Sequence, residues 1–282
     1  MANLDQDAIM AAFSQPDYNG RFSGPFAEYI QQLARRRPAV IFAFPPKAAG
    51  TFLRTASIAA IDGQLIRVVH AQGGRDAQPY VPVLLLYYLG QFGDRPMVAH
   101  MHMQALAGNR GIVDAFGWRP IMMVRSIPDM LASYWDMVDV DDDALADGLN
   151  CRFPPEFRSL ERTRQGDFLV DIVAPWYAGY YATWVEYAAQ DPAKILTLDF
   201  DEFTRAPDAA LERALEHAGI ARSREICRSA IEETWRERRN WRFNDGRPGR
   251  GAEYFEPRQL QRIRDLLRHY RPLDDLAERL TS

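Results

Sequence analysis

Short apolar runs of strand length alternate with longer segments of helical period, and this alternation constrains the fold more than any other feature of the chain. Pro38 followed by Ala39 to Phe44 (AVIFAF) reads as a buried strand, and Pro96 to Met101, Pro120 to Val124 and Ile195 to Phe200 are further runs of the same kind. Strands alternating with helices imply right-handed crossovers and a mostly parallel sheet. The predicted class is therefore α/β, a mostly parallel central β-sheet flanked by helices. With no internal repeat, low-complexity tract or Gly/Ser linker, residues 1–282 are expected to form a single domain, about 1–37 being an N-terminal extension packed on it.

The helices carry clearer start signals than the strands. A Pro/Gly-containing loop after the first strand leads into a predicted helix from about Thr51 to Ile61. Ser126, with Asp129 three residues on and Pro128 in the first turn, resembles a capping box and predicts a helix to about Met137. Pro207 opens another, with Leu211, Leu215 and Ala218 on one face and Gly219 at its stop, and Pro257 a third, with Leu260, Ile263 and Leu267 in register. Phe168 to Ala189 (with WYAGYYATW) predicts a buried helix, whose Tyr hydroxyls alternatively line a pocket. Asp136 to Asp147 holds six aspartates. Without a loop Gly or a closing Glu it reads as a solvated loop, not a calcium site.

At 47% hydrophobic and 26% charged, the 282 residues are neither disordered, collagen-like nor coiled coil. No apolar run approaches the roughly 18 residues of a membrane span, Val81 to Leu89 being among the longest. Asp5 and Asp7 stand where a signal peptide wants basic residues, so a soluble, cytoplasmic chain is expected. A net charge of −4 offers no footprint for nucleic acid. Cys151 and Cys227 make neither a disulfide framework nor a zinc site and read as buried thiols. Of 34 basic residues only Lys47 and Lys194 are lysine, so a surviving lysine can mark a need for a compact point charge that arginine's planar fork cannot copy. Lys194, just ahead of a strand, reads as chance survival; Lys47 does not.

Lys47 lies in Phe44-Pro-Pro-Lys47-Ala-Ala-Gly50-Thr51-Phe52-Leu53, where a strand gives way to a helix. A helix N-terminus offers free N–H groups and a positive dipole end to phosphate-like anions. Lys47 adds charge, Gly50 lets the backbone approach, and Thr51 brings a hydroxyl. A plain strand-turn-helix connection explains the string equally well, and it is not GxxxxGK[ST], because the lysine precedes the glycine. A second junction, Val124-Arg125-Ser-Ile-Pro-Asp-Met-Leu-Ala-Ser133-Tyr134, puts an Arg at a strand end where it can clamp an anion. A third segment, Arg242-Phe243-Asn-Asp-Gly246-Arg247-Pro-Gly249-Arg250-Gly-Ala-Glu-Tyr-Phe255, mixes glycines and arginines, and reads either as a loop closing over an anion or as an exposed basic turn.

In this order the three segments resemble the PAPS-dependent sulfotransferases, whose fold is P-loop NTPase-like. The family's 5′-phosphosulfate loop (PKSGTTW in cytosolic members) is similar to Pro46-Lys47-Ala48-Ala49-Gly50-Thr51-Phe52. Its 3′-phosphate motif, an Arg with a Ser eight residues on and then Tyr, matches Arg125, Ser133 and Tyr134. Its late motif, RKGxxGDWxxxF, matches through Gly246, Gly249 and Phe255. The resemblance implies transfer of a sulfuryl group from 3′-phosphoadenosine 5′-phosphosulfate (PAPS) to a hydroxyl of a small organic acceptor, leaving 3′-phosphoadenosine 5′-phosphate (PAP), with no metal. It nominates His102 as the general base, ahead of His100, which aligns with a family Lys. It assigns Lys47, Ala48, Ala49, Gly50, Thr51 and Phe52 to the 5′ end and adenine, and Arg125, Ser133, Gly246, Arg247, Gly249 and Arg250 to the 3′-phosphate. Phe200 stands where the family has an adenine-contacting Tyr.

The chain departs from the pattern at Asn244-Asp245, where the family has Arg-Lys, leaving Arg247 or Arg250 to compensate, and at Arg250-Gly251, where it has Asp-Trp. An ATP-dependent small-molecule kinase and an inactive PAP-binding protein are the competing readings. His70, His217 and His269 read as structural or surface residues. Aromatic candidate walls (Val81 to Phe92, Met137 to Phe157, Trp176 to Trp184) suggest an acceptor with an apolar or aromatic part. A monomer and a homodimer are both compatible with the sequence, and the arginine bias fits a bacterial coding preference.

Overall fold

The computed structural model describes residues 24–69, 79–142, 153–237 and 246–282, with side chains described from residue 28 onward. In chain order the elements are α1 (Gly24–Arg35), β1 (Ala39–Ala43), α2 (Gly50–Ile61), β2 (Gln64–Leu65), α3 (Val81–Tyr88), β3 (Met97–Met101), α4 (Ala107–Ala115), β4 (Ile121–Val124) and α5 (Ile127–Val140). They continue with α6 (Arg162–Phe168), a π-helical turn (Leu169–Val173), α7 (Ala174–Gln190), β5 (Leu196–Asp199), α8 (Phe200–Arg205), α9 (Pro207–His217), α10 (Arg224–Glu237), α11 (Gly251–Tyr254), α12 (Pro257–Leu267) and α13 (Ala277–Thr281).

The five strands make one parallel sheet in the order β2-β3-β1-β4-β5. Strand β1 is the axis of the sheet, with Ala39 to Ala43 in register with Met97 to Met101 on one side and Phe42 opposite Ile121 on the other. Val40 to Phe44, Met97 to Ala99 and Ile121 to Val124 are buried on both faces, which is why they read as continuous apolar runs and not as alternation. The chain leaves β1 toward β2 and leaves β4 toward β5. The crevice beyond the carboxyl ends of β1 and β4 is therefore the topological switch point, where open α/β sheets bind ligands.

Local chemistry explains where expectation and structure part. The apolar run ending at Phe200 loses that residue to α8, because the Asp199 carboxylate accepts from Asp201 N (2.9 Å) and Glu202 N (3.0 Å) and caps the helix. Strand β2, two residues at the sheet edge, carried no apolar run to announce it. The aspartate-rich stretch is not a solvated loop from its start: Asp136 and Asp139 lie within α5, and Asp139 and Asp142 take Arg162 and Arg158 as ion-pair partners. Residues 143–147 of that stretch, His70, Cys151 and the segment from Arg242 to Asp245 lie outside the described residues. Cys227 is a buried thiol. Lys194 pairs with Asp114, His217 bonds the Lys194 carbonyl, and His269 is exposed, so none of the three approaches the switch point. Among the described residues no helix is long and apolar enough to cross a membrane.

Helix α7 braces the crevice. Tyr177, Tyr180, Tyr181 and Trp184 recur at three- and four-residue spacing and are fully buried, so their rings fill the core while their polar tips need partners. The Tyr180 hydroxyl donates to Ala43 O and that of Tyr177 to Pro46 O (3.3 Å). Trp184 Nε1 donates to Met103 O (2.8 Å). Tyr181 Oη accepts Arg125 N (3.1 Å) and donates to Met123 O (3.1 Å). One helix thus satisfies backbone groups at the ends of β1, β3 and β4. Tyr181→Phe leaves a buried amide and a buried carbonyl without this partner and is expected to cost about 1–3 kcal/mol of stability, measured by urea denaturation.

Candidate active site

The loop from Phe44 to Ala49 leaves β1 at the switch point. Two of its non-glycine residues, Lys47 (φ 66°) and Ala49 (φ 61°), hold left-handed backbone, at about 1–2 kcal/mol each. Backbone of this kind builds the concave nests of N–H groups that bind anions. Ala49 is also the N-cap of α2 and provides no side-chain cap, so the first-turn amides of Gly50, Thr51 and Phe52 have no intrahelical partner. Helix α5 differs, because Ser126 Oγ accepts Asp129 N (3.4 Å) there. Ala48 is buried, Ala49 and Lys47 are half-buried, Thr51 is exposed, and Lys47 Nζ lies 3.9 Å from Met137 Sδ.

Both histidines of the HMH segment face this loop. His102, just past β3 and 6% exposed, bonds Phe44 O through Nδ1 at 2.8 Å. A carbonyl only accepts, so Nδ1 carries the hydrogen, and in the neutral form of the ring this tautomer puts the lone pair on Nε2. His100 and His102 meet edge to face, 5.0 Å between centroids. The His100 ring rests on Gly50, whose ideal Cβ would lie 2.1 Å from His100 Nε2. Glycine at position 50 is therefore a steric requirement of the histidine at 100.

Arg125 sits past the end of β4 and is 6% exposed. Its Nη1 donates to Lys47 O, and its guanidinium lies over the Phe200 ring, 3.9 Å from the centroid. Its Nε and Nη2 are buried and find no hydrogen-bond partner among the described residues. Burial pulls its pKa below the usual guanidinium value, and Asp129 is the foremost charge opposing that shift. Asp129 itself is 2% exposed and has both oxygens committed, accepting Gly249 N (2.8 Å) and Gly251 N (2.7 Å). A buried guanidinium with two unanswered N–H groups is the arrangement an anionic ligand completes.

The late segment reaches the site along one face of α5, on which Asp129, Ser133 and Asp136 follow at turn spacing. Ser133 is buried on that face. Arg250, buried, donates from Nη2 to Asp136 Oδ2 (2.7 Å) and to Tyr254 Oη (2.9 Å). Arg247, exposed, pairs with Glu253 at 2.8 Å. Both arginines that were to compensate for Asn244-Asp245 thus hold carboxylates here. Gly249 (φ 80°) needs glycine for its backbone, and Gly246 is half-buried beside it. Phe52 is buried against Trp235 (4.8 Å) and Phe203 (5.8 Å), and Phe200 packs under Arg125. The structure thus gathers Lys47 to Phe52, His102, Arg125, Phe200 and the Gly249–Gly251 turn around one crevice. Residue order offered Met137 and the α7 tyrosines only as candidate pocket walls and Asp129 only as part of a helix cap; their contacts with Lys47, with the loop carbonyls and with the late turn were not legible in it. Asp129 lies one turn after Arg125 and one before Ser133.

No protein-family model and no curated protein sequence matches this chain. Solved structures do. The mouse sulfotransferase SULT7A1 complexed with PAP superposes with a TM-score of 0.65 at 14% identity, covering 92% of each chain. Retinol dehydratase superposes at 0.52 and 11% identity in its complex with androsterone and the inactive cofactor PAP, and at 0.50 and 12% with retinol and PAP; both cover 89% of this chain and 86% of that one. The chain has the PAPS-dependent sulfotransferase fold. Because a methyl at position 50 meets the His100 ring, Gly50→Ala is expected to destabilise the protein by about 1–3 kcal/mol, seen as a lower melting temperature that His100→Ala added to it partly restores.

Proposed function

We propose that this protein transfers a sulfuryl group from PAPS to a hydroxyl of a small organic acceptor. The observation that carries this reading is Arg125, a buried arginine with two unanswered N–H groups, tied to a loop that presents Lys47 and an uncapped helix N-terminus. That arrangement supplies two anion subsites joined through one side chain, which suits a ligand phosphorylated at two places. Lys47, Thr51 and the amides around Gly50 hold the 5′-phosphosulfate, and Arg125 with Ser133 and the late loop hold the 3′-phosphate. Phe52 and Phe200, assigned to the adenine by the resemblance, are each 3% exposed and back that subsite from within the core instead of offering it an open face.

In the reaction the acceptor oxygen forms a bond to sulfur as the sulfur–oxygen bond to the 5′-phosphate breaks, and His102 Nε2 takes the acceptor proton. Lys47 neutralises charge on the departing phosphate. The products are the sulfate ester and PAP. The residues position the reactants in line and stabilise charge, with no covalent intermediate. Exposed Leu106, past His102 beyond the carboxyl end of β3, supports an acceptor with an apolar part, whereas Leu89 and Phe92 lie with Arg37 and Gly93 at the amino ends of β1 and β3 and do not face the crevice. The reaction is proposed for the cytoplasm, where PAPS is a soluble donor.

A thermal-shift titration with PAP, ADP and ATP tests the donor site. Selective stabilisation by PAP is expected, about 2.7 kcal/mol at a hundredfold excess over the dissociation constant; equal stabilisation by ATP favours the kinase. Arg125→Ala is expected to weaken PAP binding by about 2–5 kcal/mol. His102→Asn keeps an N–H for Phe44 O, so PAP affinity should hold while turnover on an acceptor panel falls about 10²–10⁴-fold. Equal losses of PAP affinity in both variants refute the division of roles, and PAP binding without turnover on any acceptor favours the inactive binder.

A further inference from the structure

We infer that Asp129 is a positioning residue: its carboxylate holds the Gly249–Gly251 turn on the first turn of α5, so that Arg125 and the late loop meet a 3′-phosphate as one preorganised unit. The inference rests on the PAPS reading above and deepens it. A Gly-rich loop beside an arginine invites the expectation that its amides bind the ligand. In this structure two of them are already used, with Gly251 N on Asp129 Oδ1 (2.7 Å) and Gly249 N on Oδ2 (2.8 Å). Each carboxylate oxygen takes one amide, a two-point grip that sets both the distance and the rotation of the turn.

The backbone is shaped to permit this grip. Gly249 holds a φ of 80° that an L side chain rarely adopts, and at Gly251 an ideal Cβ would lie 2.3 Å from Pro128 Cβ and 2.7 Å from Pro128 C. The turn therefore lies backbone against backbone on α5, a contact open only to glycine. Between the two anchored amides, Arg250 sends its side chain along α5 to Asp136 Oδ2 (2.7 Å), and Tyr254 Oη donates to Asp136 Oδ1 (2.6 Å). Asp136 lies two turns beyond Asp129, so two acidic residues of one helix face fasten the segment at successive points. A carboxylate beside Arg125 also subtracts from the field an anion meets. Its burial next to that arginine is accounted for by the loop it holds.

Two measurements test this. In the ligand-free wild-type protein, hydrogen exchange followed by NMR should show the Gly249 and Gly251 amides protected to the level of the sheet core; exchange at unprotected loop rates overturns the inference and needs no variant. In Asp129→Asn one acceptor oxygen is replaced by an amide donor and the charge is lost. Its Gly249 and Gly251 amides should exchange faster, and its affinity for PAP should fall about tenfold or more, with ADP affinity unchanged because ADP lacks the 3′-phosphate. A folded Asp129→Asn that binds PAP as tightly as wild type, or more tightly, marks Asp129 as a bystander or a competitor and overturns the inference. Wild-type protein that binds PAP no better than ADP strikes the PAPS reading instead, and the exchange rates then decide the tie on their own.

Discussion

Four backbone carbonyls from the last residue of β1 onward hold the candidate active-site loop in place. Those of Ala43, Phe44, Pro46 and Lys47 accept from Tyr180, His102, Tyr177 and Arg125, side chains drawn from α7 and from the ends of β3 and β4. The peptide group is planar and trans, so its N–H points away from its C=O. Clamping the Pro46 and Lys47 carbonyls from outside therefore sets the direction of the Lys47 and Ala48 amides. The left-handed backbone at Lys47 and Ala49 persists because these bonds over-determine it.

Two of the four clamps are also the residues proposed to bind and react. Arg125 fastens the loop with Nη1, while its Nε and Nη2 find no hydrogen-bond partner among the described residues; His102 fastens it with Nδ1, and Nε2 is the nitrogen proposed to take the proton. Each side chain is oriented by one end so that the other is aimed, which is how a buried polar residue becomes preorganised. The surrounding charge follows the same economy. Asp129 and Asp136 are both engaged by the late segment, while Arg125 takes its nearest support from the Phe200 ring and from a carbonyl.

Much of this was legible from residue order. Apolar runs bounded by proline or turn residues located β1, β3, β4 and β5, because strands buried on both faces cannot alternate. Pro128, Pro207 and Pro257 located helix starts, because proline's fixed φ suits the first turn. Strand β2 was illegible, since two residues at an edge bury too little to leave a pattern. Phe200 was assigned to the strand because the capping by Asp199 depends on backbone direction. The aspartates from Asp136 looked like a solvated loop, since their arginine partners lie 16, 23 and 114 residues away in the chain.

By itself the sequence determined the parallel α/β class, the two strand-to-helix junctions, and the residue types at them: Lys47 with Gly50, and Arg125 with Ser133. These are local properties, written in hydrophobic period and in turn and capping chemistry within about ten residues of each position. Only the tertiary structure decided that Arg125 reaches back to the Lys47 carbonyl, that the His102 tautomer is set by Phe44, that Gly50 makes room for His100, and that Asp129 takes up the Gly249 and Gly251 amides. Those pairings join positions 50 to 122 residues apart. Their geometry comes from the order in which the strands stack and the side of the sheet on which α5 and α7 lie, which no short-range pattern encodes.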